Sequence, residues 1–513
     1  RGARLSGSGG ESLTCVVVPS LIPYRTLMLS RDPLLLLSAT RLAALIRARA
    51  VTSAEVVEAH IRHIERVNPT LNAMVANRFD AARAEARAAD ARLDRGEAAS
   101  APPFLGVPCS IKESFAVAGM PNSAGLVARA GVRAAEDAVT VARLRAAGFI
   151  PLGVTNVSEL CMWMETNNRL YGRTNNPYDP ARTAGGSSGG EAAVVGAGGA
   201  PIGLGSDIGG SIRMPAFFNG VFGHKPTGGL VPTSGQFPLP GERGLRFMTT
   251  GPIARRAEDL MPVLRILAGP DARDPSCAAL PLGDPAAVDL AGLTVLSVEH
   301  DGVLRVSGDL LAAQRRAAAA LAARGATVRV ARVDLLARAL DIWTAMLGVA
   351  GGATFRSMLG DGRPVSLPRE LARWSLRRSA HTLPALGLTL LEDLGRLFPA
   401  RVARGLELGA ALRAELVSRI GERGVMLYPS YPSAAPRHYG PLLPPFQWTY
   451  TAVLNVMEMP ATQVPLGLDG EGLPLGVQVA AIHGNDHVTI AVAQHLERSF
   501  GGWIPPSLSW CRR

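Results

Sequence analysis

Two serines lie in short glycine-rich turns of similar composition. Ser187 belongs to the stretch GGSSGGE at 185–191, and Ser211 belongs to GSDIGGSIR at 205–213. Glycine allows several backbone N–H groups to converge on one point, because no Cβ stands in the way. A serine held in such a tight turn is exposed and rigidly aimed. Either hydroxyl could therefore act as the nucleophile of a hydrolase.

Other interpretations of these turns remain open. The first could be a flexible Gly/Ser linker, and the second could be a nest for a phosphate group. Apolar strand- and helix-like segments flank both turns, however, and a linker does not recur along the chain with the same chemistry. The phosphate-loop pattern GxxxxGK[ST] is absent from the sequence. Residues 185–189 fit G-x-S-x-G formally, but no clear apolar strand precedes them.

A serine nucleophile needs a base, and the use of lysine in this chain is informative. None of the nine histidines comes with a recognisable triad signature, and only two of the 53 basic residues are lysines, Lys112 and Lys225. Arginine stays protonated, whereas a buried lysine can lose its proton and act as a base. Lys112 follows an apolar run at 103–111, which predicts its burial. The alternative is an ordinary lysine whose amine reaches solvent.

Three stretches carry a resemblance to a known family: GVPCSIK at 106–112, GGSSGGE at 185–191 and GSDIGGSIRMPA at 205–216. They resemble the amidase-signature family of serine hydrolases, and within it the chain is most similar to the fatty-acid amide hydrolases. The likeness covers about residues 33–505. It implies an α/β fold, in which one large domain has a large mixed twisted β-sheet sandwiched by α-helices. Residues 1–32 then form an unassigned N-terminal segment, and residues 506–513 form a C-terminal tail.

The family pattern assigns catalytic roles to three side chains. It makes Ser211 the acyl-accepting nucleophile and Lys112 the general base, which later supplies the proton for the leaving amine. Ser187 bridges the two, and the peptide bond between Gly186 and Ser187 is expected to be cis. The lysine must be neutral to start the cycle, so burial has to lower its pKa. The resemblance implies that neither a metal nor another cofactor is needed.

The resemblance also assigns groups that would hold the substrate. Four backbone N–H groups are expected to meet the tetrahedral oxyanion: those of Ile208, Gly209, Gly210 and Ser211. Four pliable or small side chains are expected to line the acyl pocket: Cys161, Met162, Met164 and Met214. Without the family, ordinary core packing would explain these four. Three residues are expected to support the loops rather than to do chemistry: Gly186, Asp207 and Arg213. Lys225 is expected to be structural.

The amino-acid composition limits which binding partners and which cellular compartment are expected. The formal net charge of +11 could suggest a nucleic acid or an anionic membrane as partner. The arginines are dispersed, however, and no recognised nucleic-acid motif appears, so no nucleic-acid partner is predicted. The five cysteines are widely spaced and form neither a disulfide framework nor a metal motif. A reducing, intracellular compartment is therefore expected.

Two segments of the sequence indicate how the protein could contact a membrane. Apolar pieces in residues 1–32 are too short and too interrupted for the ~18–20 apolar residues of a membrane helix. Residues 365–394 contain a basic amphipathic pattern that could lie on a membrane surface or form an ordinary surface helix. The resemblance favours association with a membrane or a lipid droplet, because related lipid amidases dock through helices in this part of the chain. It also implies a homodimer.

Local patterns predict several elements. Thr52 and Glu55 make a capping box before a long helical pattern, residues 137–148 predict a helix that ends at glycine, and residues 150–156 predict a buried strand. One residue departs from the family. Glu458 stands where glycine is usual, and a carboxylate there needs a partner or solvent.

The sequence thus predicts a serine hydrolase. It would cleave long-chain fatty-acid amides, such as primary amides and N-acylethanolamines, to a free fatty acid and an amine. One alternative is the amidase subunit of an amidotransferase of the glutaminyl/aspartyl-tRNA type, which acts on aminoacyl-tRNA, since that subunit shares the signature. Another is a non-catalytic relative whose glycine turns only hold a lipid or phosphate ligand.

Overall fold

A mixed, eleven-stranded β-sheet runs through this computed structural model, which describes residues 32–395 and 399–512. The strands, including a separate two-stranded ribbon formed by β4 and β5, are β1 (Met74–Asn77), β2 (Pro108–Lys112), β3 (Ile150–Thr155), β4 (Asn167–Asn168), β5 (Gly172–Arg173), β6 (Ile202–Asp207), β7 (Phe222–Lys225), β8 (Thr249–Ala254), β9 (Thr294–Ser297), β10 (Thr327–Val330), β11 (Gly424–Tyr428), β12 (Ala461–Leu468) and β13 (Pro474–Ala480). The order in the large sheet is β1-β3-β2-β6-β8-β7-β12-β13-β11-β9-β10.

Helices flank this sheet, and the predicted α/β class is confirmed. They are α1 (Ala39–Arg47), α2 (Ser53–Leu71), α3 (Phe79–Asp94), α4 (Val139–Ala146), α5 (Gly189–Ala197), α6 (Arg213–Phe218), α7 (Leu260–Leu267), α8 (Gly308–Ala322), α9 (Ala339–Gly348), α10 (Phe355–Leu359), α11 (Leu367–Ser375), α12 (Leu383–Gly395), α13 (Pro399–Ile420), α14 (Thr449–Val456) and α15 (Asp486–Phe500). Pro33–Arg513 forms one compact unit. The segment predicted at 1–32 lies, apart from Asp32, outside the described residues.

Local sequence signals account for several of these elements. Thr52 caps α2 through its side chain, and Glu55 accepts a hydrogen bond from the Thr52 backbone N–H, so the predicted capping box is confirmed. The helix predicted at 137–148 is α4, which is shorter because Gly148 has φ +96°, outside the helical region. The strand predicted at 150–156 is β3, and all six of its residues are buried.

Parallel pairing brings the two chemically important strands to one edge of the sheet. The strand β2 pairs in parallel with both β3 and β6. Lys112 is the last residue of β2, and Asp207 is the last residue of β6. Since the carboxyl ends of parallel strands meet at the same edge, Lys112 and the glycine-rich loop that follows β6 emerge side by side.

A group of helices late in the chain packs closely together. The helix α9 contacts both α13 and α14, and two buried glycines of α13 allow a close approach. A Cβ on Gly405 would lie 2.5 Å from the Cβ of Ala345 in α9, and a Cβ on Gly409 would lie 2.9 Å from the sulfur of Met346. These glycines therefore set the distance between the two helices.

The C-terminal residues pack onto the domain. Trp510 donates its indole N–H to the carbonyl of Pro177 at 3.1 Å. None of the helices in the described ranges combines the length and the apolar character needed to cross a bilayer.

Replacing Gly405 by alanine should destabilise the protein by about 1–3 kcal/mol, because overpacking outweighs the ~1 kcal/mol that alanine gains over glycine in a helix. Gly387 of α12 is a matched control, since a Cβ there would meet nothing within 4 Å. Gly387→Ala should be neutral or stabilising. Urea unfolding followed by circular dichroism measures both variants, and equal stability changes would contradict the close helix contact.

Candidate active site

An apolar cleft of about 450 Å³, including its open mouth, lies at the edge of the sheet where β2 and β6 end. Its walls include residues that the sequence singled out, namely Cys161, Met162, Met164, Gly186, Ile208, Gly209, Ser211 and Met214. Four further residues line it without having been predicted: Trp163, Trp343, Leu388 and Trp448. Trp343 lies in α9, Leu388 lies in α12, and Trp448 is the residue just before α14. These three are distant in sequence from the glycine-rich turns, and no motif marks them.

Lys112 lies fully buried behind this cleft. Its Nζ is 2.7 Å from the hydroxyl oxygen of Ser187 and 3.0 Å from that of Ser206. Burial lowers the pKa of Lys112, against the opposing effects of the Cys161 thiol and the Asp207 carboxylate. Lys112 is therefore a buried amine with a lowered pKa in direct contact with Ser187.

The two predicted serines occupy different depths. Ser187 is buried, and its peptide bond with Gly186 is cis. Ser211 is partly exposed in the cleft, and within the described part of the chain its hydroxyl has no hydrogen-bond partner. The two turns are joined through the backbone, since the N–H of Ser188 donates to the carbonyl of Ser211 at 3.3 Å. The structure thus joins Ser187 to Lys112, while the Ser211 hydroxyl stays open to a ligand.

A buried ion pair shapes the loop that carries Ser211. Asp207 accepts hydrogen bonds from the N–H of Gly210 at 2.7 Å and of Ile212 at 3.1 Å. It also pairs with the Nε of Arg213 at 3.0 Å, and both side chains are fully buried. Burial alone would raise the pKa of Asp207, but the charge and hydrogen bonds of Arg213 outweigh it and hold that pKa well below its usual value. The ion pair therefore closes the loop around one carboxylate.

The same loop presents backbone donors to the cleft. Among the described residues, no acceptor faces the N–H groups of Ile208, Gly209 and Ser211. The N–H of Gly210, the fourth predicted oxyanion donor, is directed to Asp207 instead. The loop can thus offer three free amide donors to a negatively charged oxygen.

Two carboxylate–histidine pairs anchor the loop at 159–165, which contains four of the residues that line the cleft. Glu159 accepts from Nδ1 of His381 at 2.8 Å, and Glu165 contacts Nδ1 of His438 at 2.7 Å. All four side chains are largely buried. The wall formed by residues 161–164 is therefore attached at both ends to distant parts of the chain, a feature that no sequence pattern indicated.

A buried acid lies behind the lysine. Glu191 accepts a hydrogen bond from the hydroxyl of Thr155 at 2.6 Å and another from Ser110. Burial raises the pKa of Glu191 to about 7, although both hydroxyls and Lys112 oppose the shift. Since half of such a group is protonated near neutrality, Glu191 adds less negative charge beside Lys112 than an ordinary glutamate would.

Two other residues noted in the sequence lie away from the cleft lining. Lys225 is fully buried, donates to the carbonyl of Pro226 at 2.8 Å, and has a pKa lowered by burial to about 7. Glu458 has φ +56°, and its carboxylate meets Arg246 at 2.6 Å. The partner that a carboxylate at this position needs is therefore present.

Comparisons with known proteins agree with this geometry. The model of the Amidase family matches residues 55–490. Human fatty-acid amide hydrolase 2 is 46% identical over 491 residues, which cover 93% of this chain and 91% of that protein. An acylamidase of Rhodococcus erythropolis is 31% identical over 477 residues, which cover 90% of this chain and 95% of that one.

A solved structure shares the architecture. The structure of 6-aminohexanoate cyclic dimer hydrolase matches with a TM-score of 0.77 at 28% identity, over 92% of this chain and 99% of that one. The sequence motifs, the fold and these matches agree. The chain belongs to the amidase family and is an enzyme that hydrolyses amides.

Proposed function

We propose that this enzyme hydrolyses long-chain fatty-acid amides through Ser211, Ser187 and Lys112. The observation that carries the proposal is the buried contact of 2.7 Å between Lys112 and Ser187, directly behind an apolar cleft that contains Ser211. The name of the human relative supports a fatty acyl substrate. The methionine-rich wall supports it as well, because methionine adapts to an alkyl chain.

The first half of the reaction forms an acyl-enzyme. Neutral Lys112 takes the proton of the Ser187 hydroxyl, and Ser187 takes the proton of Ser211. The Ser211 oxygen attacks the amide carbon, and the negative charge that develops on the carbonyl oxygen meets the amide N–H groups of the loop. Each such donor is worth about 3 kcal/mol in the transition state.

The second proton transfer makes the amine a leaving group. Protonated Lys112 returns its proton through Ser187 to the nitrogen, so that the C–N bond breaks and a neutral amine departs. Water then attacks the acyl-enzyme and gives a proton through Ser187 to Lys112. The same path returns that proton to the Ser211 oxygen as the C–O bond breaks and the fatty acid leaves. Because the relay ends in its starting state, the cycle balances without another reactant.

We also propose that the enzyme docks on an anionic lipid surface through α11 and α12. Leu388 of α12 lines the cleft, and other leucines of this region, including Leu376 and Leu391, are exposed. Exposed arginines of α11 and the following turn, such as Arg373 and Arg377, complement anionic headgroups. A surface of this kind would deliver an apolar substrate to the cleft mouth.

Labelling with a fluorophosphonate tests the nucleophile. Mass spectrometry should locate the adduct on Ser211, pre-incubation with a long-chain primary amide should block it, and Ser211→Ala should lose both labelling and turnover. Ser100→Ala, on an exposed surface position, is the matched control and should be labelled like the wild type. An adduct on another serine, or turnover in Ser211→Ala, would refute the assignment, and a folded protein without any adduct would favour a ligand-binding relative.

The role of Lys112 predicts a pH dependence and a leaving-group effect. Since only the neutral amine can act as the base, kcat/KM should fall as the pH drops through the pKa of Lys112, which burial places below the usual 10.5. Lys112→Ala should cost at least about 100-fold on an amide and less on an ester of the same acyl chain, because an alcohol leaves more readily than an amine. Equal losses on both substrates would argue against protonation of the leaving amine by this lysine.

Sedimentation with vesicles tests the docking surface. Leu376→Asp should weaken binding to phosphatidylserine-containing vesicles several-fold, since it places a charge in the apolar contact. Val303→Asp is the control, because Val303 is 65% exposed and Leu376 is 66% exposed. Identical binding of both variants, or no wild-type binding at all, would refute docking through this surface.

A further inference from the structure

Two side chains from outside the Ser211 loop hold its carbonyl groups. The indole N–H of Trp343, in α9, donates to the carbonyl of Ile208 at 3.1 Å. The hydroxyl of Thr451, in α14, lies 3.0 Å from the carbonyl oxygen of Gly209 and 2.9 Å from that of Trp448, so its single proton is shared between two acceptors. Two consecutive peptide groups of the loop are thus held from the side of the late helices.

Holding a carbonyl also sets the direction of the next N–H. The peptide group is planar and trans, so its C=O and N–H bonds point in opposite directions. Trp343 holds the carbonyl of the peptide that contains the Gly209 N–H, which is one of the free donors at the cleft. Thr451 holds the following peptide, whose N–H belongs to Gly210 and is directed to Asp207. The second peptide shows both hydrogen bonds of this alternation, since its C=O faces Thr451 and its N–H faces Asp207.

The loop has little freedom beside these partners. Gly210 has φ +112°, and a Cβ there would lie 1.9 Å from the Thr451 hydroxyl oxygen. A Cβ on Gly209 would lie 3.7 Å from the Trp343 ring. The two helices therefore touch the loop directly, and no side chain of the loop separates them.

Trp343 is itself held in place. Its ring meets Trp448 edge to face, with centroids 4.6 Å apart and planes at 75°. Its helix α9 packs on Gly405 and Gly409 of α13, where the backbones approach closely. The position of the indole N–H is consequently set by rigid elements.

We infer that Trp343 is a positioning residue for amide hydrolysis, which aims the N–H of Gly209 at the oxyanion by holding the carbonyl of Ile208. Thr451 contacts the neighbouring peptide, whose N–H is directed to Asp207, and supports the loop beside it. The inference rests on the proposed reaction at Ser211. It separates Trp343 from the other cleft residues, because a wall residue would act on substrate binding alone.

The test is Trp343→Phe, which keeps an aromatic wall and removes the N–H donor. For a long-chain amide, kcat should fall about tenfold, less than the loss of a whole oxyanion donor, while KM should change by less than about threefold. A long-chain trifluoromethyl ketone forms a tetrahedral hemiketal with Ser211, and the ketone oxygen then becomes the oxyanion. Affinity for this ketone should fall by a factor similar to that in kcat. Affinity for an unreactive alcohol of the same chain length should hardly change.

Trp510→Phe is the matched control, since it removes an indole–carbonyl hydrogen bond of the same 3.1 Å length away from the cleft. Its kcat should equal that of the wild type. If Trp343→Phe changes KM and alcohol affinity but not kcat, the indole is only a wall and the inference is wrong. If the wild type neither hydrolyses the amide nor binds the ketone, the proposed function fails instead. Should Trp343→Phe not fold, Thr451→Val, which loosens the peptide adjoining Gly209, must lower kcat with KM retained, by less than about tenfold, and an unchanged kcat would overturn the inference.

Discussion

The buried ion pair between Asp207 and Arg213 is the constraint on which the catalytic loop depends. Two charges removed from water are tolerated only when further hydrogen bonds satisfy them. Here the backbone of the loop supplies part of that satisfaction, since Gly210 and Ile212 donate to Asp207, while Asn455 and Gln478 accept from Arg213. The loop cannot relax into another conformation without depriving a buried charge of its hydrogen-bond partners. The geometry around Ser211 is therefore enforced by electrostatics as much as by packing.

Lys112, at the same edge of the sheet, must be able to lose its proton if it is to act as the proposed base. A carboxylate and two polar side chains surround the guanidinium group of Arg213 and accept its hydrogen bonds. Lys112 instead faces the hydroxyls of Ser187 and Ser206, which satisfy its hydrogen bonds without stabilising its positive charge as a carboxylate would. Glu191 could have supplied that carboxylate, but burial between Ser110 and Thr155 keeps its proton affinity high. Two basic groups at one edge of the sheet thus have different partners, and burial without a directly paired carboxylate lowers the pKa of Lys112.

The parts of the site that are local in sequence could be predicted, and the parts that depend on distant packing could not. The turns around Ser187 and Ser211, the buried Lys112 and the methionines of the cleft wall each belong to a short recognisable stretch. Trp343 and Thr451 carry no local signal, because their contacts with Ile208 and Gly209 exist only once α9 and α14 lie over the loop. The same holds for His381 and His438, whose carboxylate partners are remote. The prediction that Gly210 donates to the oxyanion overlooked Asp207, which competes for that N–H at close range. For the fold, the capping box and β3 were predictable from short patterns, whereas the strand order of the sheet was not.

The scarcity of lysine has a spectroscopic consequence. Lys112 and Lys225 are the only lysines among the 513 residues, and both are fully buried. Protein grown on lysine with a ¹⁵N side-chain label would give just two amine resonances, and replacing Lys225 would identify them. The protonation of a base in a resting enzyme could then be followed atom by atom during a titration, which is impractical in a chain with dozens of lysines. An arginine-rich composition thus makes this enzyme an unusually clear system for observing how a buried amine loses its proton.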